Sequence, residues 1–220
     1  MNLHKQFLIS SILALGLGFS SVSSATIIYS NDFESGSASG FTGFNTVQTS
    51  PTGENFIGFL TFGASPTLNL TGLASHTSVT LDFDVYGIRS LDGTTSSDAF
   101  ALDVNGARQF TDYYGHNGFG GSLISGPVTG TLVSNDPTAL GYGHFYGGAS
   151  TYHYSLTFID SAPSINFDFI GLTDQGWSDE AFGLDNVTVS INGTVPEPSI
   201  LALMGLGLLG FSVSRRKTHK

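Results

Sequence analysis

Residues 79–86 read Val-Thr-Leu-Asp-Phe-Asp-Val-Tyr, with apolar and polar side chains in alternation. A period of two sends successive side chains to opposite faces of a strand. Val79, Leu81, Phe83 and Val85 are therefore expected to face a core, and Thr80, Asp82, Asp84 and Tyr86 to face outward. The same alternation recurs at 152–158, 165–169 and 187–191, and weaker strand signals lie at 26–29, 56–62, 67–70, 100–104 and 109–113. Turn-forming pairs punctuate the chain at Asp92-Gly93, Asn105-Gly106, Asn117-Gly118 and Asn192-Gly193. Residues 115–150 are glycine-rich and weakly patterned, and are expected to form long loops with one or two poor strands. Long helical periodicity and internal repeats are both missing, which argues against parallel βαβ units, propellers and solenoids. Roughly ten short strands with one wet face predict an all-β fold, an antiparallel two-sheet β-sandwich of the jelly-roll kind.

Each end of the 220-residue chain carries a segment foreign to such a sandwich. At the N-terminus, His4 and Lys5 precede an apolar stretch over 7–19 and then the small residues of 20–25. The stretch is short for a membrane span, and Ser23 and Ala25 lie two apart, as a signal peptidase requires. Residues 1–25 are therefore expected to be a signal peptide cut after Ala25. The domain proper is then 26–195. It holds 16 acidic residues against Arg89 and Arg108 and no lysine, a net charge of −14. Such a surface repels phosphate backbones and excludes nucleic acid as a partner, while suiting divalent cations or neutral ligands. The chain has no cysteine, so disulfides, thiolate nucleophiles and thiolate metal sites are excluded. About 170 residues bury a sufficient core without them. His76, His116, His144 and His153 have no zinc-ligand spacing, and neither a Gly-x-Ser-x-Gly elbow nor a phosphate loop occurs.

Val195-Pro196-Glu197-Pro198 closes the domain, since two prolines can neither extend a strand nor sit inside a helix. Sixteen uncharged residues follow over 199–214, then Arg215-Arg216-Lys217. As a helix the run would be about 24 Å long, enough to cross a thin membrane with snorkelling basic residues. The basic cluster would hold the C-terminus in the cytoplasm, leaving the domain outside it. The ordered set Pro196-Glu197-Pro198, glycine- and leucine-rich span and Arg215-Arg216-Lys217 resembles the PEP-CTERM sorting signal of Gram-negative bacteria. That resemblance covers 196–220. It implies an exosortase as partner, a host that makes exopolysaccharide, and a protein of the cell envelope or biofilm matrix.

The domain resembles the jelly-roll domains of PEP-CTERM proteins and, more remotely, carbohydrate-binding modules and MAM-type domains. The stretches that carry the resemblance are Asn31-Asp32-Phe33-Glu34 and Gly183-Leu184-Asp185-Asn186-Val187-Thr188-Val189. It implies that the first and last strands pair and that an acidic residue from each holds a structural calcium ion. Carried onto this chain, the ligands are Glu34 and Asp185, with Asp32 and Asn186 in support. The polar loop from Asp92 to Asp98 has two carboxylates and reads as a solvated turn in preference to a second ion site. Trp177, the only tryptophan, is either an exposed sugar platform or a core anchor of the last hairpin. Two functions follow. One is a non-catalytic surface or matrix protein contacting exopolysaccharide or matrix proteins. The alternative is a glycan-active hydrolase or lyase, for which Asp82 and Asp84, ~6.6 Å apart along one strand face, would be the carboxylate pair.

Overall fold

Strands with one apolar face hide it only against another sheet, and thirteen strands among the described residues do so here. The computed structural model describes residues 23–93, 96, 98–115, 122–125, 130–136, 139–142 and 148–194. One sheet runs in the order β10 (Thr131–Asp136), β11 (Ala149–Ile159), β6 (Ser78–Arg89), β13 (Glu180–Thr194), β4 (Asn55–Leu60), β3 (Val47–Thr49). β1 (Ser23–Asn31) also pairs with β13, so the first and last strands meet. The second sheet runs β2 (Phe41–Gly43), β5 (Pro66–Thr71), β12 (Ser164–Leu172), β7 (Ala99–Val104), β8 (Ala107–Gly115), β9 (Ser122–Ser125). Pairing along both paths is antiparallel, as the wet-face alternation predicts. Ser24–Gly193 forms one compact unit.

The inward faces meet through aromatic rings. In β6 and β11, Leu81 lies opposite Leu156, Phe83 opposite Tyr154 and Val85 opposite Tyr152. Phe83 packs edge-on to Phe169 of the other sheet at 5.1 Å between centroids. Tyr154 stacks between Phe83, at 5.0 Å, and Phe110 of the other sheet, at 4.9 Å. Its hydroxyl donates to buried Asp112 Oδ2 at 2.8 Å and also pairs with the hydroxyl of Tyr114. The phenols of Tyr114 and Tyr154 are accordingly held neutral by burial, well above their usual range.

β13 changes parity midway. Phe182 and Leu184 face the core on even numbers; Val187, Val189 and Ile191 face it on odd ones. The switch is a bulge between Asp185, opposite Asp84, and Thr188, opposite Asp82. Asn186 takes the left-handed backbone there, with φ of 51°. Such bulges re-aim a side chain locally.

Two expectations are corrected, and two short strands carried no signal. Tyr86 is buried rather than outward, because the far end of the β6 outer face is covered by a second apolar cluster with Phe56, Ile88 and Ala181. Asn192-Gly193 lies inside β13 and forms no turn. Residues 41–43 and 47–49 are strands, too short to have shown alternation. Asn105-Gly106, by contrast, does turn β7 into β8, with φ of 51° and 76°. Residues 115–150 hold β9 and β10 as the poor strands expected; Asn117-Gly118 lies outside the described residues. So do 1–22 and 195–220, which include the expected membrane helix at 199–214. Among the described residues no helix is long and apolar enough to cross a membrane. Ser23 and Ala25, the expected cleavage residues, lie at the start of β1.

Phe83 is buried at the centre of the inter-sheet packing. Phe83→Ala is expected to lower unfolding free energy by about 3–5 kcal/mol, read from the denaturant midpoint of the purified protein.

Candidate ligand-binding site

The bulge places Asp185 on the outer side of the seven-stranded sheet, yet fully buried. Tyr86 donates its hydroxyl to Asp185 Oδ2 at 2.6 Å, and the Asn186 backbone N–H donates to Oδ1 at 2.7 Å. Burial pushes the Asp185 carboxyl up to about 7, and the charges of Glu54 and Asp84 push the same way. The Asn186 side-chain amide donates to Asp84 Oδ2 at 2.9 Å. Glu34 is held at the start of β4: the Asn55 N–H donates to its Oε1 at 2.9 Å, and the Asn55 amide donates to its backbone carbonyl at 3.2 Å. Asp32 Oδ1 accepts from the Glu34 N–H at 3.2 Å, closing a local turn. Asn55 thus engages Glu34, while its neighbour Glu54 acts on Asp185. Asp84 also pairs with His153 Nδ1 at 2.8 Å, so its carboxylate is engaged on both oxygens.

Aromatic rings lead from this point to the surface. Tyr86 packs edge-on to Phe56, Phe56 edge-on to Phe59, and Phe59 stacks on Trp177 at 5.2 Å and 14°. Trp177 is 55% exposed, which removes the core-anchor alternative. The Arg89 guanidinium lies 5.4 Å from the indole centroid and donates to the carbonyl of Trp177 at 3.1 Å and to that of Ser178. Tyr142 packs edge-on to Phe59 on the other side, also within reach of Arg89. The loop that carries Trp177 is therefore fixed by a ring stacked on the indole and a cation over it.

The same loop brings a further set of groups together that the sequence keeps far apart. Asp98, Asp174 and Glu180 each offer an oxygen, all within 4.8 Å of one another. Asp98 and Glu180 are fully buried and Asp174 is exposed. Burial lifts Glu180 to about 8, the neighbouring Asp98 carboxyl adds to the shift, and burial raises Asp98 too. Beside this set, Phe62, Gly63, Ser96, Tyr113, Thr173 and Asp174 line an open depression of 460 Å³. The sequence marked the loop from Asp92 to Asp98 and, separately, Trp177, which lies three residues from both Asp174 and Glu180. Their convergence depends on the chain crossing between the sheets from β6 to β7 and from β12 to β13, which no local spacing encodes.

Asp185 and Glu180 fix a pH dependence. The unfolded chain loses these protons in the ordinary carboxylate range, about 4. The folded chain holds them to about 7 and about 8. Between those limits only the native state binds the protons, so stability falls as pH rises. In chelator, the thermal midpoint is expected to decline from about pH 5 to pH 7, and Asp185→Asn is expected to flatten that slope. An unchanged slope in the variant would contradict the burial of this carboxyl.

No curated protein matches the chain in sequence. Among solved structures, a family 35 carbohydrate-binding module from an environmental isolate is similar at 16% identity and a TM-score of 0.39, over 73% of this chain and 97% of that one. A family 35 module from Clostridium thermocellum is similar at 10% identity and 0.40, over 74% and 98%. An exo-beta-1,3-galactanase from Phanerochaete chrysosporium is similar at 16% and 0.34, over 73% of this chain and 28% of that one. At these scores the likeness extends to the β-sandwich and no further. Residues 194–217 match the PEP-CTERM protein-sorting motif, which marks the chain as an exported protein sorted to the cell envelope.

Proposed function

We propose that the domain is a non-catalytic glycan-binding module, displayed at the cell surface or in the extracellular matrix, with Trp177 at its contact face. The observation that carries this reading is the exposed indole on its stack of Phe59 and Arg89. An aromatic ring held in place offers an apolar face to sugar C–H groups with little ordering left to be lost on binding. Asp174, Gln175, Ser178 and Asp179 in the same loop supply hydrogen-bonding groups around it. The net charge of −14 over 26–195 disfavours anionic chains, so the favoured ligand class is a neutral exopolysaccharide. Other matrix proteins are the second kind of partner.

A structural calcium ion where the first and last strands meet belongs to this reading. Asp185 and Glu34 would hold it, with Asp32 and Asn186 in support and carbonyl and water oxygens completing the shell. What supports it is the charge of Glu54 and Asp84 gathered about buried Asp185, which a cation would offset. At the other end of the chain, 199–214 would anchor the exported protein in the membrane until an exosortase acts at Pro196-Glu197-Pro198.

Two tests follow. In affinity electrophoresis against the exopolysaccharide of its host, Trp177→Ala is expected to weaken retardation by about tenfold or more, with the melting midpoint nearly unchanged. Equal retardation of variant and wild type would overturn the assignment of the face. Glu197→Ala or Pro198→Ala is expected to leave the tail attached and the precursor in the membrane fraction. Intact-mass measurement in a host with a matching exosortase reads this; normal loss of the tail in both variants would mean that the motif is not read.

A further inference from the structure

We propose that Asp98, Asp174 and Glu180 hold a second calcium ion, at the point where the β6–β7 connection meets the β12–β13 connection. Each of the two buried carboxylates has one oxygen tied to the backbone. The Asp92 N–H donates to Asp98 Oδ2 at 2.5 Å, and the Gln175 N–H donates to Glu180 Oε1 at 2.8 Å. The other oxygens, Asp98 Oδ1 and Glu180 Oε2, are buried and have no hydrogen-bond partner. Oxygens of the two carboxyls lie within 4.8 Å of each other and of Asp174. The arrangement therefore presents two buried carboxyl oxygens, neither of them met by an N–H or O–H donor, to a common point, with the third carboxyl group, Asp174, on the solvent side.

Buried carboxylates without partners are among the most costly arrangements in a protein interior. A cation between them removes the repulsion and supplies the missing partner for both oxygens. The donors are hard oxygens only, with no imidazole or thiolate, which suits calcium over zinc or copper. A shell of mixed carboxylates, carbonyls and water also suits calcium over magnesium, which demands a tighter octahedron. Asp174 and the depression beside it give the ion a route from solvent. This site is distinct from the one at Asp185 and stands whether or not the domain binds a glycan.

Terbium(III), which takes calcium's oxygen ligands, provides the test on the purified full chain. Trp177 lies three residues from both Asp174 and Glu180 and is the only tryptophan, so emission excited through it reports on this site. The expected result is saturable sensitised emission that calcium displaces. Asp174→Asn, on an exposed residue, is expected to weaken terbium binding about tenfold with an unchanged circular dichroism spectrum. Glu180→Gln is expected to abolish the emission, and Asp185→Asn to preserve it. No sensitised emission, or emission insensitive to Asp174→Asn, would overturn the proposal. So would a pair that merely shares a proton: calcium would then leave the melting midpoint of the wild type unmoved, while Asp98→Asn would raise it in chelator.

Discussion

Tyr154 holds the two sheets together in two ways at once. Its ring fills the gap between Phe83 of its own sheet and Phe110 of the other, and its hydroxyl reaches across to Asp112 and Tyr114 on β8. With no cysteine, and with Arg89 and Arg108 as the only Lys or Arg side chains over 26–195, the domain cannot lean on disulfides or on ion-pair networks. Stability must come from burying large rings between the sheets, each of which removes a large apolar area from water. This polar tether in the interior is satisfied on the tyrosine side, which is the condition for keeping it there. The relative placement of the two sheets, and of every loop that crosses between them, depends on this packing.

The site follows from how the last strand ends that packing. β13 lies between β6 and both β4 and β1, so a single extra residue at Asn186 shifts its inward parity and turns Asp185 to the outer side. The residues before the bulge then bury Glu180 against Asp98 and lead back to the Trp177 loop. Three carboxyl groups, Asp98, Asp185 and Glu180, are thereby buried in a domain already rich in negative charge. An interior that bore no function would hardly collect them, since each costs stability above the pH at which the unfolded chain ionises. Cation binding and an ordered ligand face are the two uses that the geometry suits.

Much of the sandwich was legible in period-two alternation. The strands at 79–86, 152–158, 165–169 and 187–191 all lie within β6, β11, β12 and β13. Alternation failed where both faces of a strand are covered. Tyr86 has the place of an outward residue, but Phe56 comes from a strand distant in sequence to bury it, with Ile88 and Ala181. β2 and β3 are held by pairing with β5 and β4 and not by any pattern of their own. Asp98 was visible only as part of a polar loop and Glu180 only as a near neighbour of Trp177, because their meeting is a product of topology. The sorting tail was readable outright, since prolines, an apolar run and a basic cluster act through order along the chain and need no fold.

Trp177 lets the glycan reading be tested at its centre without altering the protein. As the sole tryptophan it reports from one place, and at 55% exposure its emission responds to whatever covers it. The decisive measurement is a fluorescence titration of the purified chain with oligosaccharides cut from the exopolysaccharide of its host, in the presence of calcium. A saturable change in intensity with a shift to shorter wavelength is predicted, as a sugar displaces water from the indole. An emission spectrum unmoved at oligosaccharide concentrations that the protein demonstrably retains would contradict the account.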